Sequence, residues 1–213
     1  MNDLMLDSFR SQPVRVFNLA PEDLFLWKKL AGSQLPSTQI ISTNLSPRSA
    51  SAPQPDRYAI IEIAAEELAT SRPLRIGFLG LSDPALVKPN SNFSSVHPLK
   101  AVQEVKAEVL KKADFLVVLG DISRETAAQL ALQHPEIRAV LIAERHFVLN
   151  PPEEVNNAVI LNSVERGRYL GRLTLDIGTS GKVTGHEADF IELGELVPED
   201  PELLRRQGQL TGH

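Results

Sequence analysis

The sharpest hydrophobic pattern in this chain is Ala113-Asp114-Phe115-Leu116-Val117-Val118-Leu119-Gly120-Asp121, where five consecutive large apolar residues stand between polar ones. Such a run predicts a strand buried on both faces, as in parallel or mixed sheets that are covered on each side. Residues 74–81 repeat the pattern with two glycines, which predict close backbone approach. Residues 137–142 form a third buried strand. Between these runs the period changes. Leu99, Val102, Val105, Val109 and Leu110 recur at helical spacing within residues 97–112. Ser123 is placed to cap a helix reaching about Gln133, with Ala127, Leu130 and Ala131 inward, His134 at its end and Pro135 as its stop. The order strand, helix, strand, helix, strand predicts βαβ crossovers.

Upstream, residues 3–12 predict a short helix with Leu4, Leu6 and Phe9 inward, ended by Pro13. Residues 14–18 alternate as a strand. Pro21-Glu22-Asp23 suits a helix start, since the fixed proline φ and the two carboxylates favour the positive end of the dipole. Leu24, Trp27, Leu30 and Ala31 give that helix an apolar stripe, and Gly32 closes it. Residues 39–44 read as a further strand. Residues 45–56, rich in Ser, Pro and Ala, read as a mobile surface loop. A strand is predicted at 58–63, a short connection at 65–71 and a polar loop at 87–96. Downstream, residues 158–161 make a short strand. Leu173, Leu175 and Ile177 alternate with polar residues, Gly178 to Gly181 turn the chain, and residues 182–193 return as an antiparallel hairpin. Residues 1–194 are read as one domain and 195–213 as a tail or linker with an amphipathic piece at 201–206.

Composition narrows the function classes. With 213 residues, 42% of them hydrophobic, the chain can bury a substantial core. A net charge of −5 without a polybasic run argues against a nucleic-acid or anionic-membrane partner. Cysteine is absent, which excludes disulfides, thiolate metal sites and cysteine nucleophiles. No apolar run approaches the roughly 20 residues of a membrane span. Residues 1–7 lack the basic segment and apolar core of a signal peptide. There is no Gly-rich phosphate loop or nucleophile elbow.

Candidate chemistry gathers where buried strands end. In open α/β sheets ligands bind beyond the carboxyl ends of the strands. Asp121 stands at such an end, behind a glycine that permits a sharp turn; it could ligate a cation or simply start the next helix. His146, after another buried strand, reads equally as a structural imidazole or a ligand. Glu22 and Asp23 are most simply a helix N-terminus. Arg166, Arg168 and Arg172 read as solvated strand charges or as an anion site.

Three passages then carry a resemblance. They are Asn18-Leu19-Ala20-Pro21-Glu22-Asp23-Leu24, then His97-Pro98-Leu99-Lys100-Ala101-Val102 leading into residues 113–121, then Gly167-Arg168-Tyr169-Leu170-Gly171-Arg172-Leu173. Their order and spacing resemble the C-terminal two-thirds of the calcineurin-like metallophosphoesterase domain of bacterial 5′-nucleotidases, from near residue 1 to about residue 193. The resemblance implies an α/β fold, a mixed-sheet sandwich flanked by helices and lacking its first strands. It also implies hydrolysis of phosphate esters at a two-metal centre, and export if the chain is a fragment of a longer family member.

The ligand motifs of that family are altered here. Ala20-Pro21-Glu22-Asp23 stands where Gly-Asn-His-Glu is expected, Asp121 where a lone His is expected, and Ala143-Glu144-Arg145-His146 where Gly-His-x-His is expected. The Asp-x-His and Gly-Asp-x-x-Asp motifs would precede Met1. An alternative register instead matches Asp83, Asp121 and His146 to the superfamily's first motifs. In both registers Asp121, Glu144 and His146 fall at adjacent strand ends and are the candidate metal ligands, for Mg, Mn, Ca or Zn. Arg145 could grip a phosphate, or satisfy the neighbouring carboxylates without metal. The implied function is a degenerate phosphoesterase domain, weak or inactive as it stands, with a phosphate ester or nucleotide as ligand. Two alternatives stay open: an enzyme that keeps one metal or is completed by another chain, and a non-catalytic binding module on the same scaffold.

Overall fold

The computed structural model describes residues 14–33, 35, 37–143, 151–162, 168–194 and 197–211. Its centre is a six-stranded mixed sheet. In spatial order the strands are β4 (Tyr58–Ile63), β5 (Leu74–Ser82), β7 (Phe115–Asp121), β8 (Ile137–Ile142), β10 (Ala158–Asn162) and β9 (Glu153–Val155). The inner strands are parallel, while β4 and β9 lie antiparallel to their neighbours at the two edges. Helix α3 (Pro98–Val109) carries the chain from β5 to β7, and α4 (Arg124–Gln133) from β7 to β8.

The two-residue period of the strands sorts their side chains onto two faces. On one, Leu79, Leu81, Leu116, Val118, Val140 and Ile160 pack against the apolar stripes of α3 and α4. Each such side chain contributes roughly 1.5–3 kcal/mol when fully buried. On the other, Leu74, Phe115, Val117 and Ala139 meet Leu173, Leu175, Ile177 and Val183. These belong to the ribbon of β11 (Tyr169–Ile177) and β12 (Val183–Glu192), paired antiparallel. The layers are therefore helices, sheet, ribbon.

A smaller assembly sits over the carboxyl end of β5. Strand β1 (Val16–Asn18) pairs parallel with β2 (Gln39–Ile41), and β3 (Leu45–Pro47) pairs antiparallel with β6 (Phe93–Ser95). A 3-10 turn, Pro21–Leu26, leads into α1 (Trp27–Gly32). Leu19, Trp27, Leu30, Leu45 and Phe93 form its core. Two short pieces complete the described elements: α2 (Ala65–Leu68) and α5 (Pro201–Thr211). No helix among the described residues is long and apolar enough to cross a membrane.

Several local expectations change. Residues 45–56 are not simply a mobile loop. Leu45 is buried with Trp27 and Phe93, and the Trp27 Nε1–H donates to the Pro53 carbonyl at 2.7 Å, so apolar anchors hold a stretch of polar composition. Phe93–Ser95, expected within a polar loop, is the partner strand of that stretch. The helix expected from Pro21 begins as a 3-10 turn and becomes α-helical only at Trp27; this rotates Ala31 to the exposed side. Residues 158–161 are a strand, as expected. They extend the parallel sheet beside β8, and β9, which carries Glu153 and Glu154, was hidden by its polarity. The helix expected at 3–12 lies outside the described residues.

Candidate functional site at the carboxyl ends of the sheet

Three parallel strands end together. Ser82 of β5 is in register with Asp121 of β7, and the Asp83 amide donates to the Asp121 carbonyl at 2.8 Å. The Ala143 amide donates to the Gly120 carbonyl at 2.8 Å and so carries β8 to the same rim. Gly120 is required here: a Cβ on it would meet Cγ1 of Ile122 at 2.7 Å, because the Ile122 side chain folds back beneath the strand end. These contacts bring Asp83, Asp121 and Ala143 to one edge.

The assembly above β5 builds the facing wall. Beyond Leu79 the edge strand β4 has ended, and residues 43 and 44 take its place. The Thr43 amide donates to the Gly80 carbonyl, and the Gly80 amide to Thr43 Oγ1. The Asn44 side chain holds both the amide and the carbonyl of Ser82. Asn18 donates its amide to the Leu81 carbonyl at 3.1 Å. Gly80 permits this approach, since a Cβ there would collide with Asn18 Oδ1 and stand 3.0 Å from the Ile41 carbonyl oxygen.

The 3-10 turn is thereby fixed above the strand ends. Its first residues are closed reciprocally: the Asp23 amide donates to the Ala20 carbonyl at 2.9 Å, and Asp23 Oδ2 accepts from the Ala20 amide at 3.1 Å. Burial pushes the Asp23 carboxyl up from its ordinary range, against the Ala20 hydrogen bond, which lowers it, and with Glu22, whose charge raises it. Asp23 is thus a structural cap, while Glu22 and Phe25 face a cavity.

That cavity has a volume of about 850 Å³ and is open to solvent. Its wall includes Glu22 and Phe25 from the turn, Asp83, Leu86 and Lys88 from the segment after β5, and Asp121. Asp121, singled out from sequence, is half-buried there. Asp83, from the alternative register, shares the wall, but its Oδ1 accepts from the Ala85 amide at 2.8 Å and caps a short turn. Glu144, Arg145 and His146 lie outside the described residues, as do Arg166 and Gly167. The preceding residue, Ala143, lines the cavity. Phe25, Leu86 and Lys88 were missed in sequence; a lone lysine in a polar stretch and a phenylalanine off the apolar stripe carry no signal of a site.

Other sequence candidates fall elsewhere. Arg172 is paired with Asp189 across the exposed ribbon, at 2.6 and 3.0 Å. His186 lies 3.5 Å from Glu154 of β9. His134, buried at the end of α4, sits at the amino end of β8, away from the cavity. Among the described residues, no group of three or more His, Asp or Glu side chains is arranged to hold a metal ion. The carboxylates on the cavity wall offer hard oxygen donors suited to Mg, Mn or Ca. The described residues do not by themselves compose a two-cation centre.

No protein-family profile matches the chain, and no curated protein matches it. Solved structures do. The sulfate thiohydrolase SoxB of Thermus thermophilus superposes with a TM-score of 0.71 at 20% identity, over 87% of this chain and 34% of that one. A 5′-nucleotidase precursor, also from Thermus thermophilus, gives 0.75 at 18% identity, over 93% of this chain and 43% of that one. The calcineurin-like phosphoesterase YfkN of Bacillus subtilis gives 0.71 at 15%, over 92% and 69%. The chain thus spans less than half of the first two proteins. A mixed sheet with α3 and α4 on one face, a ribbon on the other and a cavity at the carboxyl strand ends is a metallophosphoesterase fold of the 5′-nucleotidase type.

Proposed function

We propose that this chain is a degenerate 5′-nucleotidase-like metallophosphoesterase domain that retains a ligand cavity for a phosphate ester or nucleotide and hydrolyses it weakly or not at all. The observation that carries the reading is the cavity wall. Pro21, Glu22 and Asp121, the positions where the resemblance places an amide or imidazole, all line it. Proline offers no ligating side chain, and a carboxylate at Glu22 cannot act as the imidazolium that protonates a leaving group near neutral pH. The named activities of the 5′-nucleotidase and phosphoesterase structures support the ligand class. A divalent cation would polarise the phosphate and activate water if one were held.

The test is hydrolysis of p-nitrophenyl phosphate and AMP by the purified chain with Mg²⁺, Mn²⁺, Ca²⁺ or Zn²⁺, with and without EDTA. The expected result is no chelator-sensitive turnover above the metal-only background. Robust turnover abolished by EDTA would refute it.

A second reading has its own support. Ala143, the residue before Glu144 in the sequence, lines the cavity with Asp121. Asp121, Glu144 and His146 would then hold one metal, with Arg145 on the phosphate. Replacing all three ligands by alanine would eliminate metal-dependent turnover under that reading and change nothing under the first.

A further inference from the structure

Among the described residues, the ribbon of β11 and β12 pairs with no third strand. Both of its outer edges therefore present free backbone N–H and C=O groups, and such an edge is a template for another strand. The two edges differ in their side chains. β12 carries His186, Glu187, Asp189 and Glu192. A second β12 laid antiparallel about Ala188 would set Glu187 against Asp189, and about Asp189 would set that residue against its own copy, so this edge repels itself. β11 carries two charged residues, Arg172 and Asp176, and they are opposite in sign.

This makes β11 its own complement. The two-residue period puts Arg172, Thr174 and Asp176 on the solvent side, where all three are exposed, and Leu173 and Leu175 on the side packed against the sheet. A two-fold axis through Thr174 lays two copies of β11 antiparallel, with Arg172 opposite Asp176, Leu173 opposite Leu175 and Thr174 opposite its own copy. Opposite charges and threonine pairs placed directly across antiparallel strands stabilise the pairing. The leucines extend the apolar layer of each ribbon into the other. The axis repeats every Arg–Asp pair once, so the charges count double.

The side chains are placed for this. Arg172 is held upright on the strand by Asp189 of its own ribbon, at 2.6 and 3.0 Å. Asp176 is exposed and makes no ion pair among the described residues. A lone charge on a sheet edge deters pairing, whereas two of opposite sign set evenly about Thr174 select one register. The end of the ribbon away from its turn also leaves Tyr169, Leu170 and Leu193 exposed, at 36%, 54% and 43%. In this register Leu170 comes opposite Gly178, which has no side chain to crowd it.

We propose that the free edge of β11 is an interface between two copies of this chain, which join their ribbons about Thr174 into one continuous antiparallel sheet. The proposal is independent of what the cavity binds.

The test is sedimentation velocity of the purified chain over a concentration series, beside Asp176→Arg, Arg172→Asp and an equimolar mixture of the two variants. The parent is expected to pass from monomer to dimer as concentration rises. Asp176→Arg sets Arg against Arg at both pairs and Arg172→Asp sets Asp against Asp, so each should weaken the dimer about tenfold or more. In the mixture each variant supplies the charge that the other lacks, so the mixed dimer should regain most of the lost affinity. Asp176→Arg breaks no ion pair of the single chain, so its thermal unfolding when dilute is expected to match the parent's, and it carries the test even if Arg172→Asp, which loses the bond to Asp189, folds poorly. A parent chain that stays monomeric at every concentration overturns the proposal. Amides of β11 that are protected from hydrogen exchange in a strictly monomeric sample would mean that another part of the chain covers the edge, and overturn it equally. A dimer whose affinity Asp176→Arg leaves unchanged, or a mixture of folded variants that associates no better than either alone, places the interface elsewhere and overturns it as well.

Discussion

Asn44 is the point at which the cavity rim depends on one side chain. It is 3% exposed and makes three hydrogen bonds. Its Nδ2 donates to the Ser82 carbonyl at 2.7 Å and to the Val96 carbonyl at 2.8 Å, and its Oδ1 accepts from the Ser82 amide at 2.9 Å. Together these continue the edge of β5 past the end of β4 and tie β6 to it. Ser82 is in register with Asp121 and precedes Asp83, so the bonds also hold two cavity residues in place.

Asn44→Ala would strand the Ser82 amide and carbonyl in a buried site, while the Val96 carbonyl, at an exposed residue, can turn to solvent. Each orphaned group costs about 1–3 kcal/mol, and some relaxation is expected, which places the loss at roughly 2–4 kcal/mol. That is a large fraction of the 5–15 kcal/mol typical of a whole domain. Asn44→Asp is the sharper variant. It keeps an acceptor for the Ser82 amide and the same shape, but turns two donated bonds into repulsion between a buried carboxylate and two carbonyls. It should cost at least as much as alanine at pH 7 and recover part of the loss at low pH, where the protonated acid can donate once more. Guanidinium unfolding gives the magnitude, and amide hydrogen exchange at Ser82 locates it. A loss below about 1 kcal/mol for Asn44→Ala, or an Asp variant as stable as the parent, would show that the rim is held by something else.

Other consequences are checked more simply. His134 is buried with Lys106 Nζ 3.2 Å from its Nδ1; burial first and then the Lys106 charge push its pKa down, opposed by Glu136. The unfolded chain therefore takes up a proton below about pH 6.5 that the folded chain resists. Stability is predicted to fall as pH drops from that value towards the lowered folded one, and His134→Gln should flatten this part of a pH series of unfolding midpoints. Gly80→Ala, which meets Asn18 and the Ile41 backbone, should cost about 1–3 kcal/mol by thermal melts and disturb the NMR signals of residues 18 and 41. Ser123 Oγ accepts from the Thr126 amide at 3.2 Å, so Ser123→Ala should destabilise α4 by about 0.5–2 kcal/mol in chemical denaturation.

The parallel core was legible because its residues obey one period throughout. Residues 115–119 are apolar at every position since helices cover one face and the ribbon the other, and both crossover helices show their stripes. The ribbon was legible from the alternation at Leu173, Leu175 and Ile177 for the same reason. Elements held by side-chain bonds were not. Residues 45–47 and 93–95 pair over three positions each, anchored by Leu45 and Phe93 inside stretches of Ser, Pro and Asn, and no period survives at that length. At the site, Asp121 could be placed because it ends a buried strand. Phe25 and Lys88 could not, because they come to one cavity only through the docking of the 3-10 turn over β5.

This division bears on the loss of ligands that the proposed function supposes. The buried residues that define the sheet lie among β5, β7, β8 and β10 and their two helices. The three positions on which that proposal rests lie elsewhere: Glu22 is exposed, Pro21 and Asp121 are half-buried, and all three face the cavity. A change at such a position removes little packing, and surface substitutions of this kind usually stay within about 0.5 kcal/mol. The chemistry of the rim can therefore drift while the sheet persists. The converse is testable. Replacing Pro21 by Asn and Glu22 by His should lower the unfolding free energy by no more than about 1–2 kcal/mol, from the lost proline restraint and the lost carboxylate at the start of the turn, because the turn itself is closed by Ala20 and Asp23. A loss of several kcal/mol would mean that Pro21 and Glu22 had been recruited into the fold, and that the cavity is shaped by them instead of merely lined.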